Sequence, residues 1–273
     1  MAGCKTKFKE KSLKHSASVR EIFDEALLQY HQESLLGTDP LQIPHRYKKP
    51  LDQEITAFIS AIFAFGNVNA MMKVLNPLIE QMEESPSEFL MGSSEKELQK
   101  LGSKFYYRFY SSKDIQHFLI RLKEVLKSSG SLENLFKQSS KGLLRDRMSD
   151  FRSQLVADMP QTPGIKFMFP DPKKSAAKRL QLFLRWVVRK DHVDLGLWKS
   201  VKTSELLIPL DTHIFQIAQH FGLTKLKSPS LQAAHQITEV LRSWDPHDPV
   251  KYDFALCRLG VMGLKREFLD RHS

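Results

Sequence analysis

Residues 52–65, Asp52-Gln-Glu-Ile-Thr-Ala-Phe-Ile-Ser-Ala-Ile-Phe-Ala-Phe65, carry apolar side chains on most sides of a helix rather than along one stripe. That pattern predicts a central helix packed all round. Its apolar run, Ile55 to Phe65, is about half as long as a bilayer span requires, so it belongs in a protein core. Upstream, Gly37, Pro40, Pro44 and Pro50 make 37–50 a connector. Before it, Ser18 and Glu21 form a capping-box pattern ahead of Ile22, Ala26 and Tyr30 at helical spacing. Downstream, Gly66-Asn67 interrupts the central helix. A helical segment follows around Met71 to Met82, which Pro77 is expected to kink or divide. Helices are expected around Glu95–Leu101 and Asp114–Lys127, then a basic polar stretch to about Asp158. Residues 160–172, with four prolines and a glycine, form the clearest internal boundary. Beyond it, helices are expected over Ser175–Lys190, after Pro209, over Ser230–Trp244 and from about Lys251. No repeat and no strand pattern appears, so the fold class is all-α.

The chain has 273 residues, which suggests two domains or one domain with two lobes. With 41% apolar and 26% charged residues it is a globular rather than a disordered composition. The net charge of +10 points to a polyanionic partner, nucleic acid before an anionic membrane surface. Residues 1–16 are lysine-rich without an apolar segment, so they read as a basic flexible arm and not as a secretory signal. Two cysteines, Cys4 and Cys257, make no disulfide framework, which suggests a reducing, cytoplasmic and nucleoid-associated setting. The absence of paired-cysteine, His-Glu-x-x-His, calcium-loop, Walker and Gly-x-Gly-x-x-Gly motifs gives no reason to expect a metal or cofactor.

Two segments could carry chemistry. In Ile208-Pro-Leu-Asp-Thr-His-Ile-Phe-Gln-Ile-Ala-Gln219, Asp211 stands where a helix begins, with Ile214, Ile217, Ala218 and Phe221 on one face. Its carboxylate suits an N-cap, and a capped carboxylate is also a rigidly held anion able to stabilise a cation nearby. In the helix over Ser175–Lys190, Ala176, Leu180, Phe183 and Val187 form a core stripe. Lys178, Leu182, Arg185 and Arg189 fall on the opposite face, read as a solvated basic surface that could meet a DNA backbone. Lys178 could instead be an amine nucleophile, with Lys173 and Lys174 as competitors for either role. Trp186 and Trp198 read as core.

The Pro209–Gln219 segment resembles the region around the catalytic aspartate of helix-hairpin-helix DNA glycosylases, such as endonuclease III and the 8-oxoguanine glycosylases. Leu98-Gln-Lys-Leu-Gly-Ser-Lys-Phe-Tyr-Tyr-Arg108 and Ser129-Gly-Ser-Leu-Glu-Asn-Leu135 resemble a stretch between early helices of the 8-oxoguanine enzymes, and Glu54–Ala61 their opening helix. The ordered set spans Asp52 to Gly263. With Pro44-His-Arg-Tyr47, Phe183-Leu-Arg-Trp186 and Lys251-Tyr-Asp-Phe-Ala-Leu256, the chain looks like a bacterial family attached to that superfamily. Two departures stand out. Phe169-Pro-Asp-Pro-Lys-Lys-Ser-Ala-Ala-Lys178 replaces the usual Leu-Pro-Gly-x-Gly-x-Lys hairpin, whose glycines let backbone amides approach phosphate. Lys178 and Asp211 are 33 positions apart, a long gap that resembles the archaeal 8-oxoguanine glycosylases.

The resemblance implies two helical lobes with a cleft between them and an atypical hairpin. It implies a damaged base flipped into the cleft, with Lys178 attacking C1′ and Asp211 stabilising the oxocarbenium-like sugar. A Schiff base would then permit AP-lyase β-elimination without a cofactor. It also suggests a base pocket lined by Phe65, Asn67, Leu182, Asp253 and Cys257, with Lys173, Lys174, Arg185 and Arg189 on the DNA; the alternatives are core packing for Phe65, Leu182 and Cys257 and turn or capping roles for Asn67 and Asp253. The expected partner is double-stranded DNA holding a damaged base, 8-oxoguanine first, or an abasic site. The expected state is a monomer, with no membrane. The alternative is a noncatalytic helical module that binds DNA or RNA.

Overall fold

A computed structural model of the chain describes residues 19–272. The basic arm over 1–16, Cys4 and the Ser18 capping-box position lie outside the described residues. Helix α2, Pro50–Phe63, is the centre of the fold. Pro50 opens it at the first helical position, where a missing N–H costs nothing. Every position from Glu54 to Phe63 is buried, as the sequence leads one to expect. Burying polar groups there requires partners, and the two carboxylates find theirs on distant chain. Asp52 accepts from the Ser87 N–H at 2.8 Å and from the Ser85 hydroxyl, which ties α2 to α4, Pro86–Gly92. Glu54 accepts the N–H groups of Leu132 and Glu133 at 2.9 and 3.0 Å and the Trp198 indole N–H at 2.6 Å. It thereby caps the N-terminus of α7, Leu132–Lys137, while burial pushes its carboxyl up.

The rest is helical with short connections. A helix over 19–30 (α1) leads through 3₁₀ turns over 33–46 into α2. Then come α3, Val68–Glu80; α5, Glu95–Ser103; α6, Ser112–Ser129; α8, Leu144–Leu155; α9, Pro163–Met168; and α10, Lys178–Val188. The chain finishes with α11, Thr212–His220; α12, Leu231–Trp244; α13, Asp253–Val261; and α14, Lys265–Arg271. The only bridge pairs among the described residues are isolated, Tyr107 with Tyr110 and Lys190 with Leu195, so the all-α reading stands. One hydrophobic cluster runs through the described chain, and Trp186 and Trp198 are in it. Phe58 of α2 meets Phe183 of α10 edge-to-face with centroids 4.9 Å apart, so α10 is fixed against the central helix. No described helix is long and apolar enough to cross a membrane.

Two local expectations are corrected, and the proline-rich boundary segment gains a helix. Pro77 lies inside a continuous α3, four residues before its C-cap, and does not divide it. The basic polar stretch before Asp158 contains α7 and α8. The proline-rich segment over 160–172 holds α9, entered through Pro163 behind the Thr162 cap, and its flanks share one core.

Candidate functional site

Helix α11 begins at Asp211, whose Oδ1 accepts the Ile214 N–H at 2.8 Å. This is the N-cap the sequence suggests, and it holds the carboxylate at the positive end of a helix. Its other oxygen, Oδ2, faces α10 and α13. Lys178 is the first residue of α10, reached through Ala177 in a left-handed turn (φ 43°), a conformation costly for a residue with a Cβ. From there its Nζ lies 3.7 Å from Asp211 Oδ2. The Cys257 thiol on α13 donates to the same oxygen at 3.6 Å. Burial, and then the nearby Asp211 carboxylate, push that thiol up to about 12, so it stays protonated as a donor.

Helix α13 comes this close to α11 because of Gly260. A Cβ there would lie 2.1 Å from His213 Cγ, so a larger side chain would force α13, with Asp253 and Cys257, away from Asp211. Lys178, Leu182, Asp211, Asp253, Cys257 and Phe65 line one open cleft. Asp253 is buried, with Oδ2 on the Arg185 guanidinium and Oδ1 without a hydrogen-bond partner. Burial lifts its carboxyl to about 6, against the opposing pull of Arg185.

Three residues assigned from the sequence take other places here. Arg185 and Arg189 are not on a solvated face. Asp194 bridges them, accepting from Arg185 Nη2 at 3.0 Å and from Arg189 Nη1 at 2.9 Å, with Asp253 on Arg185 and Asp191 and Asp248 on Arg189. The guanidinium groups are buried as structural charges and cannot meet a DNA backbone. The helical stripe is real, but segments far along the chain cover its second half. Asn67 is also corrected: its carboxamide oxygen caps α3 by accepting from the Ala70 N–H at 3.2 Å, and its side chain lines a neighbouring groove rather than the lysine–aspartate cleft. Lys173 lies 3.5 Å from Asp146, Lys174 is exposed, and neither lines the cleft. Of the three candidate lysines, only Lys178 reaches Asp211.

Removing one partner of a fully buried ion pair strands the others, which typically costs about 3–5 kcal/mol. Arg185→Ala is therefore expected to lower the unfolding free energy by about that amount in chemical denaturation. Lys174→Ala should change it by no more than about 0.5 kcal/mol. A tolerated Arg185→Ala would mean that Asp194 and Asp253 find compensation elsewhere.

Several residues at the cleft escaped the sequence reading. His213 lines it from the first turn of α11 with a buried Nδ1 that has no partner. Arg258 closes the back wall, held by Asp39 and by the Thr38 hydroxyl at 2.8 Å. Beside Phe65 of the cleft, Phe109 and Phe167 stand out at 59 and 38% exposure. Phe167 packs on Phe65 and on Phe109, with centroids 5.1 and 4.7 Å away, and the Arg179 guanidinium lies 4.3 Å over its ring. The signal was the run Phe105-Tyr-Tyr-Arg-Phe-Tyr110, whose composition is visible in the sequence although its exposure is not.

His31, Asp191 and His192 bring three potential metal-ligand atoms together. Arg189 Nη1 donates to the same Asp191 oxygen that His31 approaches at 2.7 Å, so the position already holds a positive charge.

Fold and cleft together define an all-α protein with a lysine–aspartate pair in an open pocket. The chain belongs to the family described as "Protein of unknown function (DUF2400)", which matches residues 39–262, a span containing every residue of the cleft. No curated protein and no solved structure matches it.

Proposed function

We propose that this protein is a DNA glycosylase with AP-lyase activity, excising a damaged base through a Lys178 Schiff base assisted by Asp211. The carrying observation is the 3.7 Å approach of Lys178 to a capped aspartate inside an open cleft that Leu182, Asp253 and Cys257 also line. In this reading the α9–turn–α10 segment takes the place of the hairpin. Asp171 organises the turn, with its carboxylate accepting the Lys173 N–H and its carbonyl the N–H groups of Lys174 and Ser175. The parts of the helical body on either side of the cleft act as the two lobes.

The chemistry follows from the donor set. Lys178 attacks C1′ through its deprotonated amine as the C1′–N bond breaks; the electron pair leaves with the base, which takes up the proton that the attacking nitrogen gives up. Asp211 Oδ2 stabilises the positive charge that develops on the sugar. The nitrogen lone pair then opens the C1′–O4′ bond, leaving O4′ on C4′ as a hydroxyl and giving the Schiff base, from which a C2′ proton is removed and the 3′ phosphate expelled. For the base, 8-oxoguanine carries N7–H where guanine has a bare acceptor. Asp253 Oδ1, which has no hydrogen-bond partner, would accept from that N7–H and find no donor on guanine N7. Borohydride trapping on an abasic duplex tests the lyase reading. Base release from duplexes carrying oxidised purines, oxidised pyrimidines, uracil or alkylated purines tests the choice of lesion. Fast release of a pyrimidine with 8-oxoguanine untouched would overturn the base assignment alone.

The aromatic cluster beside Phe65 supports a nucleic-acid partner because base stacking on exposed rings is sequence-tolerant and worth about 1–3 kcal/mol per base. Phe109→Ala is expected to weaken duplex binding by roughly 5- to 100-fold, read by fluorescence anisotropy, with the melting temperature nearly unchanged. The affinity of both proteins should fall steeply with salt as counterions are released. Equal affinities for Phe109→Ala and the parent, or binding insensitive to salt, would remove this face from the DNA contact.

A further inference from the structure

The loop between α7 and α8 shapes a second depression, none of whose lining residues lines the lysine–aspartate cleft. Its border holds three cations, Lys137, Lys141 and Arg147, and three hydroxyls, Ser139, Ser140 and Ser200, with Gly142 completing it. No carboxylate and no apolar side chain is part of that border.

The carboxylates nearby are engaged elsewhere. Glu133 accepts the N–H groups of Lys199 and Ser200 at 2.6 and 2.9 Å, with Lys137 at 3.5 Å. Asp150 is taken by the Ser140 N–H and hydroxyl, and Glu205 accepts the Lys202 N–H at 2.8 Å while standing 3.6 Å from Arg147. Arg147 is fixed in place by its donation to the Ser200 carbonyl at 2.8 Å and by the Phe136 ring beneath it. Lys141 makes no ion pair among the described residues. The feature that stands out is the buried Ser139 hydroxyl, which has no hydrogen-bond partner. The Ser200 hydroxyl lies against the Glu133 carboxylate. Buried polar atoms are almost always paired, so an orphaned hydroxyl at a basic depression is a departure.

We propose that this depression is a phosphate-binding site. Its donors converge from three chain segments, around 139–141, at 147 and at 200, so they suit an anion with oxygens on several sides. Charge-assisted hydrogen bonds from ammonium, guanidinium and hydroxyl groups are the usual means of holding such an oxyanion. The phosphate could be a diester of a DNA backbone or a free phosphate group, and the two sources separate by experiment.

Ser139→Ala removes a hydroxyl that has no protein partner to lose, so this variant should fold with an unchanged melting temperature in chloride. Inorganic phosphate is then titrated against thermal unfolding at constant ionic strength, with sodium chloride as the balance. The parent's melting temperature is expected to rise, since a ligand of the native state stabilises it. The midpoint concentration should increase roughly fivefold in Ser139→Ala, and the response should vanish in Lys141→Glu. A parallel anisotropy titration with a short undamaged duplex identifies the source. Weaker duplex binding by Lys141→Glu assigns a backbone phosphate, while unchanged duplex binding beside a lost phosphate response assigns a free one. A phosphate response equal in the parent and both variants overturns the proposal. So does a parent that ignores phosphate together with duplex affinities that none of the substitutions changes.

Discussion

Lys178→Ala is expected to abolish borohydride trapping of the protein on a duplex carrying an abasic site, reducing the covalent adduct to background while duplex binding persists. Trapping needs a neutral primary amine that reaches C1′, and a positioned nucleophile cannot be replaced by amines held elsewhere. Lys173 is drawn toward Asp146 and Lys174 is exposed in the turn, and neither lines the cleft. The substitution should leave the fold intact. Lys178 is 32% exposed, and Asp211 keeps its bonds to the Ile214 N–H and the Cys257 thiol without it. Binding should survive because one cation among many sets only a small part of the salt-dependent affinity. An adduct that survives in Lys178→Ala and disappears in Lys173→Ala or Lys174→Ala would move the nucleophile into the turn. If the parent protein binds abasic and lesion duplexes but never traps, the lyase step fails and a monofunctional glycosylase or a noncatalytic binder remains.

What the sequence discloses here follows the range of the interactions. Helix α2 was legible because an all-round apolar segment needs only local periodicity to be recognised, and α12 because its repeat is bounded by the Ser230 cap and the break after Trp244. The short α7 and the charge-rich α8 were not legible. Six residues are too few for a periodic signal, and α8 buries only part of a strongly polar sequence. What fixes α7 is non-local: Glu54, far upstream, accepts its first N–H groups.

The same distinction divides the candidate site. Asp211 could be singled out because it stands at a helix start with a recognisable local pattern, whereas Lys178, read as one cation on a basic face, was chosen through the resemblance. Arg185 and Arg189 share a stripe with Lys178, and periodicity alone sends all of them to solvent. Their partners, Asp194, Asp248 and Asp253, come from a turn and from the segments around α13, which no helical wheel contains. Asn67 went wrong for a complementary reason. Local chemistry fully explains it as a cap, and its assignment to the base pocket came from resemblance rather than from its own surroundings.

Asp211→Asn is expected to lower base excision by at least about 100-fold, the range associated with a lost charged or acid–base group in a transition state. Stability should change by less than about 1 kcal/mol, because asparagine caps helices nearly as well as aspartate. The two oxygens of Asp211 make this a sharp test. Oδ1 accepts the Ile214 N–H, a task that an amide oxygen performs equally well. Oδ2 is the atom facing Lys178 Nζ and the Cys257 thiol, and in asparagine it becomes an uncharged donor that can neither stabilise a cation nor accept from the thiol. The substitution therefore keeps the structural role and removes the electrostatic one. Asp211→Ala removes both, and should add roughly 1 kcal/mol of destabilisation to the same loss of excision. Single-turnover base release at saturating protein, beside thermal unfolding of the three proteins, reads the two roles separately. If Asp211→Asn excises as fast as the parent, the carboxylate is a helix cap and nothing more, and the cation-stabilising role must pass to another group in the cleft. If Asp211→Asn and Asp211→Ala lose excision alike but differ in stability, the chemistry resides in the charge at Oδ2.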